Sequence, residues 1–502
     1  MSQPPRADIA PNTWDFETSA LIKPTGFREY DARWWFGHPG SDKAPEINLY
    51  GIQALGLGLG TLIHELGVEP KIVVGHDFRG YSLGVKQALT VGLMSAGIEV
   101  HDIGLALSPT AYFAQFDLDI DCVAMVTASH NSNGWTGVKM GVEKALTFGP
   151  DEMARLKEIV LKGEGVPRPG GGYVFEDGVA ERYLADLSKD VTIKRPLRVV
   201  AACGNGTAGA FAPRALAAMG VEVIPLDCEL DHTFPRYNPN PEDMKMLHAL
   251  RDAVLEHKAD VGLAFDGDGD RCGVVDNEGE EIFADKVGLM LARDLSARFD
   301  KAKFVVDVKS TGLFLTDPVL KANNATTEYW KTGHSYIKRY SKKTGALVGF
   351  EKSGHFFFQP PLGRGFDDGL VAARAVLDML DRNPDKSMAD VRRDLPVSYS
   401  SPTMSPACDD ELKYAVVDKI AEAYKARTEI LGRKVRDVLT VNGVRFTLED
   451  GAWGLVRASS NTPNLVVVVE SPNSADDMKA IFRDIQAELA KHPEVGEFDQ
   501  SL

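Results

Sequence analysis

One order of residues recurs along the chain and restricts its fold more than any other feature: an apolar strand, a glycine-bearing turn, a helical stretch and a second strand. It is legible in KIVVGHD, followed by a helical stretch from about Ser82 to Ala96 and then IEVHDIG. It returns in LRVVAACGNGTAG with APRALAAMGVEVIPLD, and again in KFVVDVKSTGLFLTDPVLKANNATTEYWKTG. The pair MSAGIEVHDIG and LAAMGVEVIPLD is close enough to count as an internal repeat. Strand, helix, strand makes a βαβ unit and a parallel sheet.

At 502 residues the chain is too long for one core, and about three or four domains follow. Boundaries are expected at the Gly/Pro stretch Glu164–Gly172, near Asn277 and in Leu395–Pro406. This gives α/β domains at 23–170, 171–280 and 281–396, with mixed or parallel sheets. Residues 397–502 change character. A helix at about Leu412–Ala426 precedes VLTVNGVRFTL, whose Asn442-Gly443 between apolar runs signals a hairpin. Strand, polar loop and strand in WGLVRASSNTPNLVVVVES and a last helix complete a small α+β domain. The first 22 residues, rich in Pro and polar side chains, are expected to be a disordered leader.

Charge and cysteine usage exclude several classes. The balance of 56 Lys+Arg against 72 Asp+Glu, net −16, argues against nucleic acid or an anionic membrane as partner, so an anionic ligand needs a local positive pocket. The basic run YIKRYSKK interleaves aromatics with cations, but its spacing suits a helix with one solvated face. The five cysteines show no CxxC spacing and read as buried thiols of a reducing compartment. The N-terminus lacks a signal pattern, and no apolar run approaches the ~20 residues that span a bilayer. A cytoplasmic protein is expected.

The stretch GLAFDGDGDRCGVVD, Gly262–Asp276, carries Asp266, Asp268 and Asp270 at alternate positions. In an extended loop they would face one way and gather hard oxygen donors around a divalent cation, with the Arg271 charge beside them. A metal and an arginine together suit a phosphorylated ligand. An EF-hand is the competing reading, but it wants Gly and Glu where the chain has Arg271 and Asn277; a solvated acidic turn is the other.

The apolar run CVAMV reads as a buried parallel strand and empties into TASHNSNGWTGVKM, so Ser129 and His130 lie where such sheets collect ligand loops. Ser129 lacks the G-x-S-x-G elbow of acyl-transfer hydrolases. A serine that accepts a phosphoryl group needs a metal and a group to handle a hydroxyl proton; the aspartate loop could supply the first and Lys139 the second. An ordinary loop pair is the alternative. In FEKSGHFFF, Glu351, Ser353 and His355 alternate, which on a strand would aim all three at adjacent sugar hydroxyls and turn Lys352 away. RASSNTP offers Arg457 with the hydroxyls of Ser459, Ser460 and Thr462, beside Asn461, for a phosphate dianion. A polar strand and a polar loop remain the plain readings of these two. Lys309, Lys331 and His334 add positive charge at strand ends. In GFREYDARWWFG, packing explains Trp34, Trp35 and Phe36 but less readily Tyr30, Asp31 and Arg33.

Taken in order, TASHN, FDGDGDR, FEKSGH and RASSNTP on three similar lobes and a different fourth resemble the α-D-phosphohexomutase superfamily, most closely its bacterial phosphomannomutase/phosphoglucomutase group. The resemblance runs from about Lys23 to the end. It implies four domains around a central cleft and a phosphoserine at Ser129. Mg²⁺ would be held by Ser129, Asp266, Asp268 and Asp270, with Arg271 and His130 beside it. Lys139 and Arg33 would take part in proton transfer and charge stabilisation, and Tyr30 would lie at the sugar. Glu351 and Ser353 would bind sugar hydroxyls near His355, and Lys309 and His334 would line the cleft. Arg457, Ser459, Ser460, Asn461 and Thr462 would hold the phosphate that is not reacting. The implied activity is isomerisation of a hexose monophosphate, mannose or glucose, through a hexose 1,6-bisphosphate that also serves as activator. The partners would be small phosphosugars only, and the chain a monomer or weak dimer. Rival readings are phosphoglucosamine mutase, a Mg²⁺-dependent sugar phosphatase and a non-catalytic phosphosugar sensor.

Overall fold

The computed structural model describes residues 3–189, 191, 193–460 and 462–500. They form two compact units, Met1–Ala284 with Ser353–Asp390, and Asp285–Lys352 with Val391–Leu502.

The first unit carries two sheets. In the six-stranded one, Lys71–His76 lies between Glu99–Leu105 and Cys122–Val126, all three parallel. The run CVAMV is buried at every position, which is what an inner strand covered on both faces requires. The sheet then turns mixed: Trp135–Gly141 returns antiparallel beside Cys122–Val126, and Ala32–Trp35 pairs antiparallel with it in turn. Helices Leu49–Glu65 and Ser82–Ser95 form where the periodicity predicts them. The five-stranded sheet repeats the plan. Arg198–Ala202 is parallel to Glu222–Leu226 and to Val261–Phe265, and Cys272–Asp276 folds back antiparallel on the last. The aspartate stretch is therefore the connection of an antiparallel pair.

The leader is not disordered over its described part. Residues 14–18 form a short helix capped by Thr13, Arg6 bridges to Leu21, and Ile9, Leu21 and Ile22 are buried. Asn48 explains the seating: its amide donates to the carbonyls of Phe16 and Ser19 at 2.8 Å each while its Oδ1 caps the helix behind it through Gly51 N–H. A polar composition concealed three anchoring apolar side chains.

The second unit carries two larger sheets and a two-stranded one, Pro406–Cys408 with Val495–Phe498. Lys303–Asp307 is parallel to Thr326–Trp330 on one side and Val348–Phe350 on the other. The helix His334–Thr344 contains the basic run. The C-terminal sheet is antiparallel in the order Tyr399–Ser400, Leu465–Ser471, Trp453–Ala458, Val444–Leu448, Arg433–Leu439, Glu429–Ile430. Asn442 and Gly443 lie in the hairpin connection, as their sequence signals. Helices Lys413–Lys425 and Ala475–Leu489 cover one face, with Ile420, Tyr424, Ile481 and Ile485 in the core. Trp453, Leu455, Val466 and Val468 on the other face pack with Val308, so LVVVVES is buried throughout. The Arg445 guanidinium lies 3.7 Å from the Trp453 ring centroid and 4.2 Å from that of Tyr329, and donates to the carbonyls of Val308 and Ser310 at 2.7 Å each. That holds the Lys309 turn. Three α/β layers and one α+β layer result. All five cysteines are free thiols, and among the described residues no helix is long and apolar enough to cross a membrane.

Candidate active site

In the first unit the strand Cys122–Val126 delivers Ser129 in left-handed backbone, φ 51°, which a residue with a Cβ adopts only when its surroundings impose it. The hydroxyl is buried, donates to Asp266 Oδ2 at 3.0 Å and lies 3.2 Å from His130 Nδ1. Burial, and then the charges of Arg271 and Arg33, drive the His130 imidazole well below its ordinary pKa, so the ring is neutral.

The aspartate loop is not extended. Residues 267–269 make a turn with Gly269 at φ 73°, and the N–H groups of Asp270 and Arg271 donate to Asp266 Oδ1 at 3.1 and 3.2 Å. Convergence of the carboxylates comes from this turn and not from strand alternation. One oxygen from each of Asp266, Asp268 and Asp270 lies within 4.8 Å of the others, and all three residues are fully buried. Gly267 lets this loop meet the serine loop, because a Cβ there would stand 2.5 Å from the Ser129 carbonyl oxygen.

Lys139, opposite Met125 on the returning strand, donates to Asp268 Oδ2 at 2.7 Å, to Asp270 Oδ2 at 2.5 Å and to Ser108 Oγ at 3.1 Å. Burial works to neutralise the ammonium, but the two carboxylates outweigh it and raise its pKa well above normal. Lys139 thus stays a charged ammonium, a fixed cation among the carboxylates. In return it brings Asp268 and Asp270 below the usual carboxylate range against the pull of burial, whereas burial and its two neighbours push Asp266 well above it. Among the described residues Asp268 Oδ1 is buried with no hydrogen-bond partner. Three buried carboxylates beside one ammonium, with an acceptor oxygen left over, fit a divalent cation bound by oxygen.

Around this centre, Arg33 donates to Asp31 Oδ2 and to Asn131 Oδ1 at 2.9 Å each, which ties it to the serine loop; Tyr30 is buried nearby in sequence. Arg271 NH1 reaches Asn240 and Glu242 at 3.3 Å each, and Nε lies 3.8 Å from Asp266. His355 Nε2 is 3.3 Å from Asp270 Oδ1 and 3.8 Å from Asp367 Oδ2, and its Nδ1 is 3.0 Å from Ser353 Oγ.

The alternation expected for Glu351, Ser353 and His355 does not hold. Residues 351–355 form a turn between Val348–Phe350 and Phe356–Phe358, with Gly354 at φ 94°. Ser353 and His355 belong to the first unit, while Glu351 belongs to the second, accepting Gly333 N–H at 2.5 Å. Lys352 is buried too, with Nζ 3.3 Å from the Ser401 carbonyl. In the same unit Lys309 is buried with Nζ 3.9 Å from Asp307, and His334 begins its helix. Arg457, on the strand Trp453–Ala458, donates to Ser460 Oγ at 3.1 Å, and Ser459 Oγ meets Thr462 Oγ1 at 2.7 Å. Among the described residues Arg457 Nε is a buried donor without an acceptor, as an anion site needs. Asn461 lies outside the described residues.

Sequence reading passed over Ser108, Asp77 and Arg79. Ser108 Oγ donates to Asp268 Oδ2 at 2.6 Å. Asp77 and Arg79 follow the C-terminal end of the parallel strand Lys71–His76, and that position is the signal that points to them.

Comparison with known proteins places this geometry in a family. Family models described as phosphoglucomutase/phosphomannomutase alpha/beta/alpha domains I, II and III match residues 25–166, 181–279 and 283–399, and the corresponding C-terminal domain matches 407–488. A phosphomannomutase/phosphoglucomutase of Pseudomonas aeruginosa is 34% identical over 460 residues, 91% of this chain and 94% of that one. A phosphoglucomutase of Neisseria meningitidis is 34% identical over 468 residues, 93% and 97% of the two chains. A crystal structure of a phosphoglucomutase/phosphomannomutase family protein from Burkholderia thailandensis superposes with a TM-score of 0.82 at 29% identity, covering 95% of this chain and 99% of that one. With all four domain models in order and relatives matched nearly end to end, the chain belongs to the phosphoglucomutase/phosphomannomutase family.

Proposed function

We propose that the protein interconverts hexose 1-phosphate and hexose 6-phosphate, with mannose or glucose as the sugar, through a phosphoserine at Ser129. The observation that carries this reading is the junction of two loops: Ser129 Oγ 3.0 Å from Asp266, in a cluster whose other two carboxylates are held by Lys139. Phosphoserine 129 gives its phosphoryl group to the free O1 or O6 of the monophosphate. As the new P–O bond forms and the old one breaks, the proton of the sugar hydroxyl ends on the released Ser129 Oγ. The resulting hexose 1,6-bisphosphate returns its other phosphoryl group to Ser129, which leaves the isomer.

Asp266, Asp268, Asp270 and the phosphorylated Ser129 would hold Mg²⁺, which would supply charge neutralisation at the transferring group. Lys139 holds a proton at Nζ for the oxygens exchanging there, with Arg33 adding a fixed positive charge. Neutral His130 keeps a ring nitrogen beside Ser129 Oγ. A bisphosphate also needs a second anion site that binds without reacting. Arg457 and the hydroxyls of Ser459, Ser460 and Thr462 supply it, with Asn461 of the same loop. Tyr30, Arg271, Lys309, His334, Glu351, Ser353 and His355 make up the remaining sugar- and phosphate-binding set. Such chemistry on soluble phosphosugars suits the cytoplasm.

The test is a comparison of mannose 1-phosphate, glucose 1-phosphate and glucosamine 1-phosphate, each with Mg²⁺ and a trace of hexose 1,6-bisphosphate. Formation of the 6-phosphate from mannose or glucose without free phosphate supports the proposal. Preference for glucosamine moves the substrate, free phosphate indicates a phosphatase, and binding without conversion indicates a sensor.

A further inference from the structure

We propose that Asp77 and Arg79 are positioning residues that hold Ser129 in its reactive orientation, acting through the backbone of its loop and through Thr127. The proposal rests on Ser129 being the phosphoryl carrier.

Arg79 leaves the parallel neighbour of the strand that delivers Ser129, and its guanidinium lies under the serine loop. NH2 donates to the carbonyls of Ser129 and Asn131 at 2.9 and 2.7 Å, and NH1 to the Ser132 carbonyl at 3.0 Å. Three convergent carbonyls fit a planar fork of donors, which a lysine ammonium cannot reproduce. Asp77 fixes the fork: its Oδ2 accepts from Arg79 Nε at 3.2 Å, from Thr127 Oγ1 at 2.8 Å and from Ala128 N–H at 3.3 Å, while Oδ1 accepts from Ser82 at 2.5 Å. Thr127 Oγ1 in turn accepts the Ser129 N–H at 2.8 Å. The N–H and the C=O of Ser129 are thus both tied to one buried ion pair, on either side of a φ of 51°. That backbone is strained for serine and needs such a brace. The brace aims Oγ at Asp266, yet neither side chain takes part in the hydrogen bonds between the two strands, which pair Ile72 to His76 and end with Asp77 N–H on the Val126 carbonyl.

The two variants to make are Arg79→Lys, which keeps the charge and loses the fork, and Thr127→Val, which keeps the shape and loses the relay. In folded protein each should lower kcat on the order of 10²-fold, the effect of a shift of about 1 Å in a reacting group, with KM for the hexose 1-phosphate nearly unchanged. Phosphoserine formed from hexose 1,6-bisphosphate should also be lost to water faster, followed by intact mass. Thr127→Ser restores the relay oxygen and should restore kcat. If Arg79→Lys does not fold, the Thr127 pair still decides the matter. Folded variants with wild-type kcat and wild-type phosphoserine lifetime, or a Thr127→Ser variant as slow as Thr127→Val, would overturn the proposal. A wild-type enzyme that never carries phosphate on Ser129 would instead remove the functional reading beneath it.

Discussion

Asp268 and Lys139 each settle the other's charge, and the consequence for catalysis can be separated from the consequence for folding. Asp268 is fully buried beside two like charges and against the Lys139 ammonium at 2.7 Å, so Asp268→Asn relieves repulsion but takes one ion-pair partner from Lys139, as it removes a proposed metal donor. Because Lys139 keeps Asp270 as a partner, the unfolding free energy should fall by no more than ~1–3 kcal/mol. Affinity for Mn²⁺ or Mg²⁺ should fall by at least the ~10–100-fold that loss of a mere supporting partner costs. Calorimetric metal titration checks this, and unchanged affinity would exclude Asp268 as a ligand.

A second buried carboxyl bears on stability alone. Burial pushes Asp368 up to about 7, although Tyr183 OH and the N–H groups of Leu370 and Val371, at 2.9, 2.9 and 3.1 Å, favour its ionised form. An acid whose folded pKa is raised binds its proton more tightly when folded. Its contribution to stability is therefore greatest below the unfolded value near 3.9 and is lost as pH rises through about 7. Asp368→Asn keeps the helix cap and cannot ionise. Its stability, followed by thermal melts, should gain on wild type from about pH 4 to 7, by an amount approaching ~4 kcal/mol, and level off above. A pH-independent difference would show that Asp368 does not titrate in this window.

At the scale of elements, strands were the legible part. Cys122–Val126, Val261–Phe265 and Leu465–Ser471 announce themselves because burial on both faces demands unbroken apolar runs. Loops were legible in content and not in shape. The three aspartates do converge, through a turn at Gly269 where an extended segment was expected, and Glu351-to-His355 turns where a strand was expected, at Gly354. In both cases a glycine in left-handed backbone set a geometry that period-two reasoning cannot see. The supports Ser108, Asp77 and Arg79 were missed for a different reason: each acts on residues far away in sequence, and only the strand-end position of Asp77 and Arg79 hints at a role.

The contact between the two catalytic loops makes a prediction of its own. Nothing in the backbone conformation of Gly267 calls for glycine, but the space does, since the Ser129 carbonyl is backbone and cannot swing aside. Gly267→Ala should cost ~1–3 kcal/mol as overpacking does, and lower kcat on the order of 10²-fold by parting Ser129 from Asp266. Kinetics alongside a thermal melt distinguish this from simple unfolding. A stable variant of full activity would show that the approach of the loops is not needed.

Over the whole molecule, the repeat of strand, turn, helix and strand translates into two α/β sheets in the first compact unit and one in the second, where the antiparallel C-terminal sheet and a two-stranded sheet are the odd members. The division itself was not legible, because Ser353–Asp390 joins the first unit while the residues on either side of it belong to the second. Chemistry is apportioned accordingly. In the proposed mechanism the first unit's serine, aspartates and Lys139 transfer, and the second unit's Lys309, His334, Glu351 and Arg457 loop bind. At a net charge of −16, an anionic ligand depends on such local cations.

The central claim is that one phosphoryl group travels by way of Ser129. The direct measurement is to load the enzyme with hexose 1,6-bisphosphate and Mg²⁺, locate the bound phosphate by peptide mapping, and chase it with unlabelled mannose 1-phosphate in a single turnover. The account predicts phosphate on the peptide containing Ser129, its quantitative transfer to the sugar, and no labelling or isomerisation by Ser129→Ala. Phosphate on another residue, or full turnover by Ser129→Ala, would contradict it.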